Sequence, residues 1–141
     1  MFEKIQSAVE LWKADAVKLK PPSQSETTSK TLISANRTLT SDVSHLYSLC
    51  GGMEENTSDQ HLFELWSLER AAKETLNFPA PFIPFADGMI SACIFCLKYE
   101  NPDISSVWVT YLNNEPPTMV ASSLNEAFDL LLSNPSRLHL L

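Results

Sequence analysis

The chain has 141 residues, 44% of them hydrophobic and 19% charged, which suits one foldable domain large enough to hold its core without disulfide or metal. Ten Lys and Arg against 17 Asp and Glu leave a net charge of −7, and a surface of that sign repels phosphate and argues against direct nucleic-acid binding. Three glycines, Gly51, Gly52 and Gly88, are too few for a GxGxxG or Walker-type phosphate loop.

Phe2, Ile5, Val9, Trp12, Ala16 and Leu19 recur at alternating gaps of three and four, so the spacing predicts a helix of about five turns ended by Pro21-Pro22. Ser23 with Glu26 reads as a capping box for a second helix over 23–39. Val43, Leu46, Tyr47 and Cys50 form one face of a third helix over 42–50, with Gly51 placed as its left-handed closing residue. After the polar loop 53–60 the pattern changes. Short β-rich runs at 62–66, 82–85, 90–97, 107–112 and 118–121 predict strands, with a helical stretch over 67–76 between the first two. Asn113-Asn114 with Pro116-Pro117 marks a turn, and Ser123 with Glu126 caps a last helix bearing Leu124, Ala127, Phe128, Leu131 and Leu132. Helices at both ends and turn-linked strands between them predict a single α+β domain over 1–141, its central sheet mostly antiparallel.

The search for chemistry returns little. Cys93 and Cys96 make the one CxxC spacing, but residues three apart on a strand face opposite ways, so neither metal nor redox role is expected. His45, His61 and His139 are scattered, and no GxSxG elbow exists. The expected reading is no enzyme, no cofactor and no metal, although an ordered cleft with coupled titratable groups would favour an enzyme. Glu3, Lys4, Glu10, Lys13 and Asp15 interrupt the first segment, so it does not read as a secretory signal, and no apolar run spans a membrane. Three cysteines, an odd count, suit reduced thiols, and a cytoplasmic location is expected.

Charge is uneven along the chain. Residues 1–37 hold six bases against four acids, and residues 38–141 hold four against 13; stretches 38–69 and 99–136 have no Lys or Arg. Such stretches read either as a solvated face or as a docking face for a basic protein. For the second reading the best candidates are Glu54, Glu55, Asp59 and Glu64, with Asp87, Glu100 and Asp103 at strand ends joining the same rim. Trp66 or Trp108 would supply an aromatic anchor.

In order, LTSDVSHLYSLCGGM, HLFELWSLE, FIPFADG, ISACIFCL, SSVWVTYL and MVASSLNEAFDLLL resemble the SUKH superfamily, the SMI/KNR-type domain, over residues 23–133; residues 1–22 are a preceding helix and link. The chain departs from that pattern in the apolar Met89-Ile90-Ser91-Ala92-Cys93 after the PFADG stretch, in Cys50 where Asn is common and in Leu39-Thr40 where Leu-Pro is usual. The resemblance implies an α+β fold and, for many bacterial members, an immunity protein that neutralises a toxin domain, often a nuclease. A regulatory interaction scaffold of the cell-wall-synthesis type is the alternative that it implies.

Overall fold

The computed structural model describes residues 2–22, 37–111 and 116–140. Helix α1 (Glu3–Ala14) buries Ile5, Ala8, Val9 and Trp12 along one stripe. Its 12 residues make a little over three turns, not five. Ala16 takes φ 60, a left-handed conformation that breaks the helical path well before Pro21. Leu19 keeps the 3–4 spacing but lies in an extended strap, bridged to Met53, with Lys20 N–H donating to the Gly52 carbonyl and Gly51 N–H to the Lys20 carbonyl, both at 2.8 Å. The helix expected over 23–39 lies mostly on 23–36, outside the described residues, and 37–40 is not helical.

Helix α2 (Ser41–Leu49) buries Val43, Leu46 and Tyr47 as its spacing predicts. Its closing residues differ from expectation. Cys50 is extended, and the left-handed residue is Gly52, at φ +96, rather than Gly51. Gly51 serves close approach instead: a Cβ there would stand 2.2 Å from the carbonyl oxygen of Pro21.

Strands β1 (Phe63–Leu65), β2 (Ile83–Gly88), β3 (Cys93–Asn101), β4 (Ile104–Thr110) and β5 (Thr118–Ala121) form one antiparallel meander in chain order. Helix α3 (Leu68–Glu74) follows β1; the Ser67 hydroxyl caps it by accepting the Arg70 N–H, and a 3-10 turn over Thr75–Asn77 extends it. Helix α4 (Leu124–Ser133) starts at Ser123, whose hydroxyl accepts the Glu126 N–H at 3.0 Å, and a second 3-10 turn covers Pro135–Leu138. The Glu126 carboxylate turns to Ser122 rather than completing the box. The fold is therefore α+β, with helices at both ends of an antiparallel sheet. Of the turn expected around 113–117, residues 113–115 lie outside the described residues.

The main core lies on one face of the sheet. There Leu65, Phe85, Phe95, Leu97, Val107 and Val109 pack against the buried faces of the helices. The opposite face carries a second, smaller cluster of Trp66, Ile94 and Cys96, partly covered by Phe78 and Phe82. Cys93 belongs to the first cluster and Cys96 to the second, the divergence that the period of a strand dictates.

The β2–β3 connection departs most from its sequence signal. The strand runs predicted over 82–85 and 90–97 leave 86–89 as the link between them, with Ile90 opening the second strand. Gly88 instead stays in β2, where a Cβ would stand 2.8 Å from Leu140 Cδ2 and 2.9 Å from Cys93 Sγ. Packing against the C-terminal segment claims that glycine, and the turn falls on Met89, Ile90 and Ser91, with φ of 55, 57 and 65.

Candidate partner-binding site

The outer face of the sheet brings two carboxylates together. Glu64 on β1 and Asp87 on β2 are direct cross-strand partners in the antiparallel register. Like charges so placed repel. Arg70, in the first turn of α3, relieves them: its guanidinium donates to Glu64 Oε2 at 3.1 Å and lies 4.0 Å from Asp87 Oδ2. The same guanidinium lies 4.1 Å from the centre of the Trp66 ring, a cation–π placement. The Trp66 indole N–H donates to Asp87 Oδ2 at 2.8 Å, and the Ser91 backbone N–H donates to Asp87 Oδ1 at 3.3 Å. Burial, then the neighbouring Asp87 charge, pushes the Glu64 carboxyl above its usual range, against the pull of Arg70.

These carboxylates line a cleft of about 250 Å³ on the surface. Its walls are Asn56, Thr57 and Ser58 on one side and Leu62, Ile90 and Ser91 on the other. Glu54 and Glu55, both exposed, immediately precede the first wall, and among the described residues neither makes a salt bridge.

Several expected contact residues lie elsewhere. Asp59 is 7% exposed and is no rim charge: its carboxylate accepts the Trp12 indole N–H at 3.2 Å and the backbone N–H groups of His61 and Phe63 at 2.8 and 3.0 Å. It pins the 53–62 loop to α1. Asp87 is 2% exposed and Trp66 3%, so neither is an open contact residue; each satisfies the other in the second cluster. Glu64 is not free of local bases, because Arg70 reaches over it from a later turn of sequence. Glu100 and Asp103 are exposed but lie at the far end of β3 and in the β3–β4 turn. With β3 rising ~3.4 Å per residue, that turn lies roughly 20 Å from the Asp87 end, so the acids do not form one rim.

Trp108 is half-buried on the outer face. It packs edge-on to Phe82 at 5.5 Å, with the Lys98 ammonium 5.2 Å from its ring and its indole N–H donating to Ser106 Oγ at 2.8 Å. The contributions of Arg70, Ile90 and the 56–58 wall were not read from the sequence. The Arg70 signal was there: it is the first base after a 32-residue stretch without one, and it follows Glu69 directly.

Among the described residues no group of three or more His, Cys, Asp or Glu side chains is placed to hold a metal ion. No helix among them is long and apolar enough to cross a membrane. Compared with known proteins, the chain matches no family model and no curated protein.

Proposed function

We propose that this chain is a binding protein of the SUKH immunity type, which engages a basic toxin domain in the cytoplasm through the acidic end of its sheet. One observation carries the reading: Glu54 and Glu55 stand exposed beside a cleft in which two carboxylates face a single guanidinium. A local excess of negative charge that local bases do not cancel steers a basic partner and accelerates its encounter. The α+β fold, the order of the sequence motifs and the net charge of −7 support the same reading.

The cleft also favours a second reading, an enzyme using Glu64 and Asp87 as acid and base. Its chemistry is the weaker of the two. Asp87 is 2% exposed, and its oxygens already accept from the Trp66 indole and the Ser91 N–H, so it is withdrawn from the surface at which a substrate would exchange a proton. Binding needs only the field of these groups, not their titration.

The test is the double variant Glu54→Lys/Glu55→Lys, assayed against the toxin domain encoded beside this gene. Association at low salt should slow about tenfold or more, with the salt dependence reduced and the folding transition unchanged. An unaltered association rate would place the contact on another face. Absence of any neighbouring toxin gene would move the regulatory-scaffold reading ahead.

A further inference from the structure

Glu64 and Asp87 sit directly opposite across β1 and β2, and one guanidinium serves both. Arg70 does not pair equally with the two: it donates to Glu64 at 3.1 Å and stands 4.0 Å from Asp87. The Trp66 ring, 4.1 Å away, holds it in that place. Two anions and one cation leave a net charge of −1, with the Asp87 side chain 3% exposed and the Glu64 side chain 14%. Charges so buried are weakly screened, so a single proton changes the balance of the whole group.

That proton has one accessible place to go. Asp87 is closed off by the Trp66 indole and the Ser91 N–H, whereas Glu64 lies at the cleft and reaches water. The groups that act on Glu64 come from each element around it: Asp87 from β2, Arg70 from α3 and the Asn56 backbone N–H from the loop before β1. Glu69, the acid in the first turn of α3, acts on Tyr47. Burial and the Asp87 charge favour the protonated Glu64 carboxyl, while Arg70 and Asn56 favour the ionised one.

We propose that Glu64, Asp87 and Arg70 form a one-proton switch built into the acidic end of the sheet. With Glu64 ionised, Arg70 bridges two repelling carboxylates. With Glu64 protonated, its O–H donates to Asp87 across the strand pair, and Arg70 pairs with Asp87 alone. Cross-strand partners have Cβ atoms about 4.5–5.5 Å apart, within reach of such a bond. A carboxylate offers about four acceptor sites, so Asp87 has room for both groups beside Trp66 and Ser91. The triad then carries no net charge, and the field that attracts a basic partner weakens. The inference rests on the protein-binding reading and supplies its regulation: engagement slows as the medium turns acid.

The test is side-chain carboxyl NMR of the full chain over about pH 3–8, with the Trp66 indole N–H signal followed in the same samples. Glu64 should titrate above 4.5, its ordinary value, and the indole signal should move with the same midpoint. E64Q should abolish that indole step. R70Q should move the Glu64 midpoint higher, because the cation that opposes the proton is gone. The Arg70 side chain is 32% exposed, so this variant leaves the core closed. Stability has a definite sign as well. The native state takes up the proton before the unfolded chain does, so the wild type should gain stability relative to E64Q as pH falls toward 4.5. In the toxin assay the wild-type association rate should drop about threefold through the Glu64 midpoint, and E64Q should lack that step.

A Glu64 midpoint at or below 4.5 would overturn the inference. So would an indole step that survives E64Q, a midpoint that R70Q lowers or leaves in place, or a stability difference from E64Q that is flat with pH. The two readings also fail separately. A toxin domain that binds the wild type at a constant rate through that midpoint removes the switch and keeps the toxin. The expected titrations with no toxin partner keep the switch and remove the toxin.

Discussion

Asp42 shows what one buried carboxylate can hold together. It is 1% exposed, and its oxygens accept the backbone N–H groups of Val43 at 2.8 Å, Ser105 at 3.2 Å and Leu124 at 3.4 Å, together with the Thr40 hydroxyl. One side chain thereby ties the first turn of α2 to β4 and to the first turn of α4. Both helix starts present unpaired N–H groups and positive dipole ends, which a carboxylate satisfies better than any neutral group. Replacing Asp42 by Asn keeps the shape but turns one acceptor into a donor that faces other donors. Asp42→Asn should therefore lower stability by about 3 kcal/mol, since a buried charge-assisted bond is lost and its partners are left unpaired. Urea unfolding should show the midpoint falling with the m-value unchanged. Asp59 follows the same logic in the 53–62 loop. The sequence discloses that both residues are acidic but not that they are inside. Burial of Asp59 depends on the Trp12 indole, 47 positions away, and no local pattern encodes that meeting.

The elements themselves were largely legible because burial imposes a period. The 3–4 spacing of Ile5, Val9 and Trp12 and the alternation of Phe95, Leu97 with Ile94, Cys96 each identify the face that leaves water. Element ends were not legible, because they depend on contacts from elsewhere. Gly88 is claimed by Leu140, which pushes the hairpin turn onto Met89–Ser91, and Leu19 is claimed by Met53, which ends α1 early. The candidate site was legible only as an acidic stretch; which acids face the cleft was decided by strand register and by Arg70. Helix α4 gives a direct test of how much one apolar face contributes. Phe128 packs edge-on to Trp12 at 5.7 Å and to Phe63 at 6.2 Å, so it joins α1, α4 and the sheet. Phe128→Ala should cost about 3–5 kcal/mol, as a large aromatic leaves a cavity that three rigid elements cannot close. Chemical denaturation followed by tryptophan fluorescence measures it, because Trp12 loses its neighbour in the same step.

At the scale of the whole molecule, the buried thiols set a limit on the alkaline side. Burial pushes the Cys93 thiol up to about 11 and the Cys96 thiol up to about 12, from an ordinary value of 9.0, and raises Cys50 in the same direction. Once the chain unfolds these groups ionise near their ordinary value; folded, they resist. Their contribution to stability is intact below that value and is lost as pH rises toward the folded values. Stability from denaturant titrations should therefore fall steadily above pH 9, and replacing Cys96 by Ala should flatten that fall. Thiol reagents at neutral pH should label the native protein slowly, since all three thiols are buried and un-ionised.

The pairing of the two end helices carries a consequence in time. The start of α1 has no cap of its own; the side-chain oxygen of Asn125, in α4, accepts the N–H groups of Lys4 at 2.9 Å and Ile5 at 3.4 Å. That partner lies 121 residues downstream. At a synthesis rate of ~5–20 residues per second, the first helix waits roughly 6–24 s for the group that completes it. During that interval the indole and the aliphatic stripe of α1 are on offer to whatever the ribosome's surroundings contain. A chaperone that recognises short amphipathic helices would have its opportunity then, and would lose it when α4 emerges.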